Sequence, residues 1–103
     1  MIWNKYKLIN FFREHLDEEI ILKKTVNMFQ IQGNIKYVEE IDLCSYRLFE
    51  VYLKNNSVEK ETYLTLHDKF IGIHLAKKSK KSGIHQNGNP TQIPYEELAV
   101  IMP

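Results

Sequence analysis

From about residue 20 onward this chain spaces its apolar residues two apart, and it shows no clear helical period between its strand-like segments. The plainest case is YRLFEVYLK, residues 46–54, which puts Phe49, Val51 and Leu53 on one face. Tyr46, Leu48 and Tyr52 share the other face with Glu50 and Lys54. That alternation predicts a strand lying on a core with one side. NNSVEK, which follows, reads as a turn, and ETYLTL and KFIGIHLA continue the pattern, with Ile71, Ile73 and Leu75 on one face. Two short segments close the chain, TQIPY and LAVIMP. Pro94 has no amide hydrogen, which predicts an edge strand there or a site where the ladder needs no donor. With no helix between strands, a parallel sheet has no crossovers from which to build.

The N-terminus has a different period. In NKYKLINFFREHL, residues 4–16, Tyr6, Ile9, Phe12 and Leu16 recur at helical spacing. Asn4 suits the N-cap, and the acids at 17–19 suit a helix C-terminus poorly, so the helix is predicted to end near His15. One helix and five or six short strands fit a small, strongly bent antiparallel barrel, because closure removes exposed edges. The fold class is α+β, mainly β, in one domain over 1–103, with the helix at 4–16 and the barrel at 20–103. A rival reading makes residues 17–29 a second helix of a winged helix. Gly33, alone inside a strand, predicts a bulge or sharp bend where a side chain would strike a neighbouring strand.

Composition narrows the setting. An apolar content of 44% supports a real core. No apolar run reaches the roughly 18 residues of a membrane span, and the charged N-terminus does not read as a signal peptide. A single cysteine, Cys44, excludes an internal disulfide and a cysteine-rich zinc site, which fits a reducing, cytoplasmic setting. The excess of lysine over arginine, with frequent isoleucine and asparagine, suggests an AT-rich genome such as that of a low-GC bacterium or its mobile elements.

Catalytic chemistry finds little footing. His67 and Asp68 are adjacent, but neighbours on a strand point to opposite faces, and the pair reads rather as a surface pair at a turn. His15, His67, His74 and His85 lack metal-ligand spacing, and Cys44 reads as a small buried hydrophobe. The paired acids Glu18-Glu19, Glu39-Glu40 and Glu96-Glu97 read as solvated. The expectation is therefore a protein that is not an enzyme and uses no cofactor or metal.

Charge gives a better lead. The net charge of +1 conceals an asymmetry: KKSKKSGIHQNGNP, residues 77–90, holds Lys77, Lys78, Lys80 and Lys81 and no acid. The rest of the chain has 10 basic residues against 13 acidic ones. The segment reads as a flexible basic loop whose lysines can neutralise phosphates. Exposed tyrosines can stack on bases, and the alternative is a solvated loop that serves solubility alone.

NMFQIQGNIKYVEEIDL resembles the first signature of the Sm-like family, particularly its bacterial Hfq branch, through Gly33, Ile35, Val38, Glu39, Ile41 and Leu43. TQIPYEELAVIMP resembles the second, through Ile93, Tyr95, Leu98, Val100, Ile101 and Pro103. The resemblance implies an SH3/Sm-like barrel, assembly into a ring and RNA binding, with Phe29 and Gln32 where the family stacks and hydrogen-bonds bases. Three departures accompany it. Roughly forty extra residues separate the signatures, and VYLKNNSVEKETYLTLHDKFIGIHL offers a competing register for the first. Glu96-Glu97 stand where the family carries the cationic pair that holds uridine-rich RNA in its pore, and two carboxylates repel phosphate.

The leading expectation is a non-catalytic nucleic-acid-binding protein, RNA somewhat ahead of DNA. Lys77, Lys78, Lys80 and Lys81 would supply electrostatic contact, Gln32 a hydrogen bond, and Phe29 or Tyr95 stacking. The alternative is a phage or mobile-element interaction module that binds and regulates a protein partner, which the abundant aromatics suit. A third reading is a small ribonuclease-type toxin that uses the lysine loop and His85. No membrane partner is expected.

Overall fold

The computed structural model describes residues 2–42, 44, 47–55, 60–77 and 91–103. It begins with helix α1 (Lys5–Glu14), followed by strands β1 (Glu19–Lys24), β2 (Gln30–Asp42), β3 (Arg47–Lys54) and β4 (Lys60–Leu66). β5 (Phe70–Lys77), β6 (Thr91–Pro94), a 3-10 turn (Tyr95–Glu97) and β7 (Leu98–Ile101) complete it. No helix among the described residues is long and apolar enough to cross a membrane.

Asn4 caps α1 as its side chain predicts, accepting the Lys7 amide hydrogen at 2.9 Å. His15 closes the other end through a 3.2 Å bond from its N–H to the Phe12 carbonyl. The buried stripe is Lys5, Leu8, Ile9 and Phe12, not the expected Tyr6, Ile9, Phe12 and Leu16. Tyr6 and Leu16 are 56% and 46% exposed. The stripe includes Lys5 because its ammonium finds Asp68 Oδ1 at 2.6 Å and the Arg47 carbonyl at 3.0 Å. A satisfied cation can lie in a buried row where a simple apolar count would not put it.

Residues 17–29 are not helical: Asp17 takes a left-handed φ of 67° and the chain enters β1 directly, which removes the winged-helix reading. The seven strands form one antiparallel sheet in the order β6-β5-β4-β3-β2-β1-β7. Its two outer strands, β6 and β7, are joined by only the three-residue turn Tyr95–Glu97, so the sheet curls into a nearly closed barrel. This architecture is compatible with the SH3/Sm-like type. Pro94 lies on β6, an end strand of the order, where the missing donor leaves no ladder bond broken.

β2 makes the closure feasible. Its first part pairs with β1 through Gln30–Asn34, and its second pairs with β3 through Asn34–Asp42. The register slips between Ile35 and Tyr37, making Lys36 the extra residue of a bulge. Gly33 lies three residues earlier. A Cβ there would stand 3.1 Å from Leu53 Cβ and 3.2 Å from the Lys54 carbonyl oxygen. The close approach expected of Gly33 is present, while the register shift is at Lys36.

The core lies inside the curl. Leu8, Ile9 and Phe12 pack from the helix onto Ile20, Ile35, Val51, Leu64 and Ile71 from successive strands. Phe49, Val51 and Leu53 are all buried, as the alternation in β3 predicts. Leu75 departs from its row and is 43% exposed, because β5 has run past the core by that point.

Candidate functional site

An open cleft of about 290 Å³ lies where the barrel core ends. β2 contributes Gln30, Ile31 and Gln32, and the residue after β3 contributes Asn55. Thr62 of β4 and Leu75 of β5 complete the lining. The Asn55 side-chain amide donates to the Gln32 carbonyl at 3.1 Å, tying the end of β3 to β2. The rim therefore offers carboxamides, which both donate and accept, over the aliphatic side chains of Ile31 and Leu75. Such a lining suits a flat, heteroatom-edged ligand better than a bare phosphate.

The cleft lies at the lysine-bearing end. Thr62 and Leu75 are register partners, and two residues further along the same strands Lys60 pairs with Lys77. Lys54, exposed, immediately precedes Asn55. Of the four lysines expected to meet phosphate, Lys77 is the last residue of β5. Lys78, Lys80 and Lys81 lie outside the described residues, as does His85. Gln32 lines the cleft. Phe29 adjoins Gln30 and is half-buried against the core, its N–H held by Asn27 Oδ1 at 2.9 Å.

Tyr95 lies elsewhere. It is buried, its hydroxyl donates to the His67 carbonyl at 2.6 Å, and burial pushes its phenol well above the ordinary range. Its ring belongs to the core and presents no face for a base. Glu96 is exposed and Glu97 half-buried on the same turn, where the Glu97 carbonyl accepts the Thr25 N–H at 2.8 Å.

The histidines form one local network. Thr65 Oγ1 lies 2.9 Å from His67 Nε2 and 3.0 Å from His74 Nε2. A hydroxyl has one proton to give, so at most one ring receives it and the other ring donates. Burial lowers the pKa of both imidazoles; Asp68 opposes this at His67, and Lys5 adds to it. Asp68 is exposed and bound to Lys5, whose hydrogen bond and charge hold its carboxyl below the ordinary range. His67 and Asp68 thus serve different partners, and they lie in the turn between β4 and β5, not on a strand. His15 Nδ1 pairs with Glu18 at 2.8 Å. No group of three or more metal-ligating side chains occurs among the described residues. Cys44 is exposed rather than buried, at φ 62° with its N–H on Asp42 Oδ1.

Sequence reasoning missed the outer face of the sheet. Register aligns Tyr37 with Tyr52, Tyr52 with Tyr63, and Tyr63 with His74, a cross-strand row over β2–β5. Ring centroids are 5.5 Å apart for Tyr37–Tyr52 and 5.0 Å for the stacked Tyr52–Tyr63 pair. The next row opens with Glu39 directly opposite Glu50. Burial, then the Glu39 charge, raises the Glu50 carboxyl pKa, and a hydrogen bond from Tyr37 partly offsets both. Burial, then the two glutamates, raises the Tyr37 phenol. Equal spacing of tyrosines from their turns was the available signal, but it becomes readable only with the pairing register. Compared with known proteins, the chain matches no family model, no curated protein and no solved structure.

Proposed function

We propose that this chain binds single-stranded nucleic acid without catalysis, with RNA ahead of DNA. The observation that supports the reading is the carboxamide-lined cleft at the end of the barrel where Lys60 pairs with Lys77 and the lysine-rich segment departs. In this reading Gln30 and Gln32 meet the hydrogen-bonding edge of an unstacked base, and Ile31 and Leu75 meet its flat side. Phe29, beside Gln30, supplies a ring for a neighbouring base, worth about 1–3 kcal/mol where stacking forms. Lys54, Lys77, Lys78, Lys80 and Lys81 neutralise phosphates on either side. Tyr95 has no part, because its ring and hydroxyl are engaged inside the fold.

The test is fluorescence anisotropy with labelled RNA and DNA oligomers of about a dozen nucleotides. Five lysine–phosphate contacts on a single strand give a slope of log K against log salt of about −3.5. Gln32→Ala should weaken binding several-fold at fixed salt while leaving that slope unchanged. Replacing Lys77, Lys78, Lys80 and Lys81 with glutamine should flatten it. No binding to any oligomer, or affinity independent of salt, would sink the proposal.

A further inference from the structure

We propose that the outer face formed by Tyr37, Glu39, Glu50 and Tyr52 is a docking surface for a protein partner that presents an arginine side chain. Two neighbouring cross-strand pairs build it, Tyr37 opposite Tyr52 and Glu39 opposite Glu50. Residues directly opposite have Cβ atoms about 4.5–5.5 Å apart, and like charges in that position destabilise a sheet. Four other acids of this protein are paired, Asp17 with Lys36, Glu18 with His15, Glu40 with Arg47 and Asp68 with Lys5. Among the described residues Glu39 and Glu50 have no ion-pair partner. Two opposed carboxylates thus stand beside a row of tyrosines, with no cation paired to them among the described residues.

Charge complementarity selects the occupant. A guanidinium is planar, so it can lie on a tyrosine face while its fork of donors reaches both carboxylates. Tyr37 is 39% exposed, which leaves part of the residue open to contact. A lysine ammonium is a more strongly hydrated point charge without the fork, and it gains less here. Nucleic acid is repelled by the two carboxylates. This surface is therefore distinct from the carboxamide cleft, and its assignment does not rest on nucleic-acid binding. Arginine and tyrosine are also the residue types enriched at the energetic centres of protein interfaces.

The probe is a fluorescein-labelled Arg-Gly-Ser repeat peptide of about a dozen residues, with a Lys-Gly-Ser peptide as its counterpart. The full chain should bind the arginine peptide more tightly, by about fivefold or more. Glu39→Gln with Glu50→Gln should cut that affinity about tenfold. The same double variant should melt no lower than the parent protein, since it removes a like-charge pair. Ring resonances of Tyr37 and Tyr52 should shift on titration with the arginine peptide, and an RNA oligomer should not displace it. Failure of the parent protein to bind, equal affinity for the two peptides, an unaffected double variant, or displacement by RNA would each overturn the assignment.

Discussion

Gly72→Ala tests the part of the sheet where two histidines share one hydroxyl. Gly72 is buried on β5 directly opposite Thr65. A Cβ there would lie 2.7 Å from Thr65 Oγ1 and 3.2 Å from His74 Nε2. The first distance is too short to persist, and Thr65 is short, β-branched and buried, so its relief is rotation about χ1. That rotation takes Oγ1 away from both imidazoles, losing two hydrogen bonds of about 1 kcal/mol each. Overpacking of the neighbouring ring adds roughly 1–3 kcal/mol, and restriction of the unfolded chain returns about 0.4–1 kcal/mol. The expected cost is about 3 kcal/mol, a fall in Tm of roughly 10–25 °C for a domain of this size. Urea unfolding followed by far-ultraviolet circular dichroism measures it. Thr65→Ala removes the obstructing atom, so adding Gly72→Ala to it should cost at least about 1 kcal/mol less than in the parent. Additive effects, or a Gly72→Ala protein within about 0.5 kcal/mol of the parent, would refute the assigned contact.

The two imidazoles also set a pH dependence. Burial puts both below the ordinary 6.5 in the folded state, so the unfolded chain takes up more protons as the medium acidifies. Their contribution is fully present above pH 6.5 and declines as the pH falls below it toward the folded values. Thermal melts at pH 7.5 and about 5.5 should show the decline, and His67→Gln with His74→Gln should flatten it. A parent protein equally stable at both would contradict this. Tyr95→Phe should cost about 1–2 kcal/mol by leaving the His67 carbonyl without its donor. The same variant should bind RNA with parental affinity, and a loss of affinity at unchanged salt slope would place the Tyr95 hydroxyl at the nucleic acid after all.

The elements whose interactions are local were legible in the sequence. Asn4 declared the start of α1 because an N-cap bonds three residues ahead, and Phe49, Val51 and Leu53 declared β3 because alternation needs no distant information. Burial that depends on a remote partner was not legible. Lys5 lies in the buried stripe through Asp68, sixty-three positions away, and Leu75 is exposed because β5 outruns the core. Gln32 could be picked out as a candidate, whereas the tyrosine row could not. The row exists only once β2, β3 and β4 are set in register, and register is fixed by turns whose lengths the alternation leaves open.

The bulge at Lys36 connects the two proposed surfaces. Ile35 pairs with Leu53, and both point into the core. By simple alternation Tyr37 and Glu39 would follow Ile35 inward, burying a carboxylate in the barrel. The extra residue reverses the parity, so that Val38 packs against the core and Tyr37 and Glu39 turn outward opposite Tyr52 and Glu50. The reversal is written in the spacing of the apolar side: Ile31, Gly33 and Ile35 are two apart, and Val38 comes three later. One strand thereby carries carboxamides to the cleft before its bulge and an acidic tyrosine face after it. The two surfaces lie within ten residues of each other in β2 and on the same outer side of the sheet, since Gln30 and Gln32 flank the core-facing Ile31 as Tyr37 and Glu39 flank Val38, and the bulge separates them along the strand.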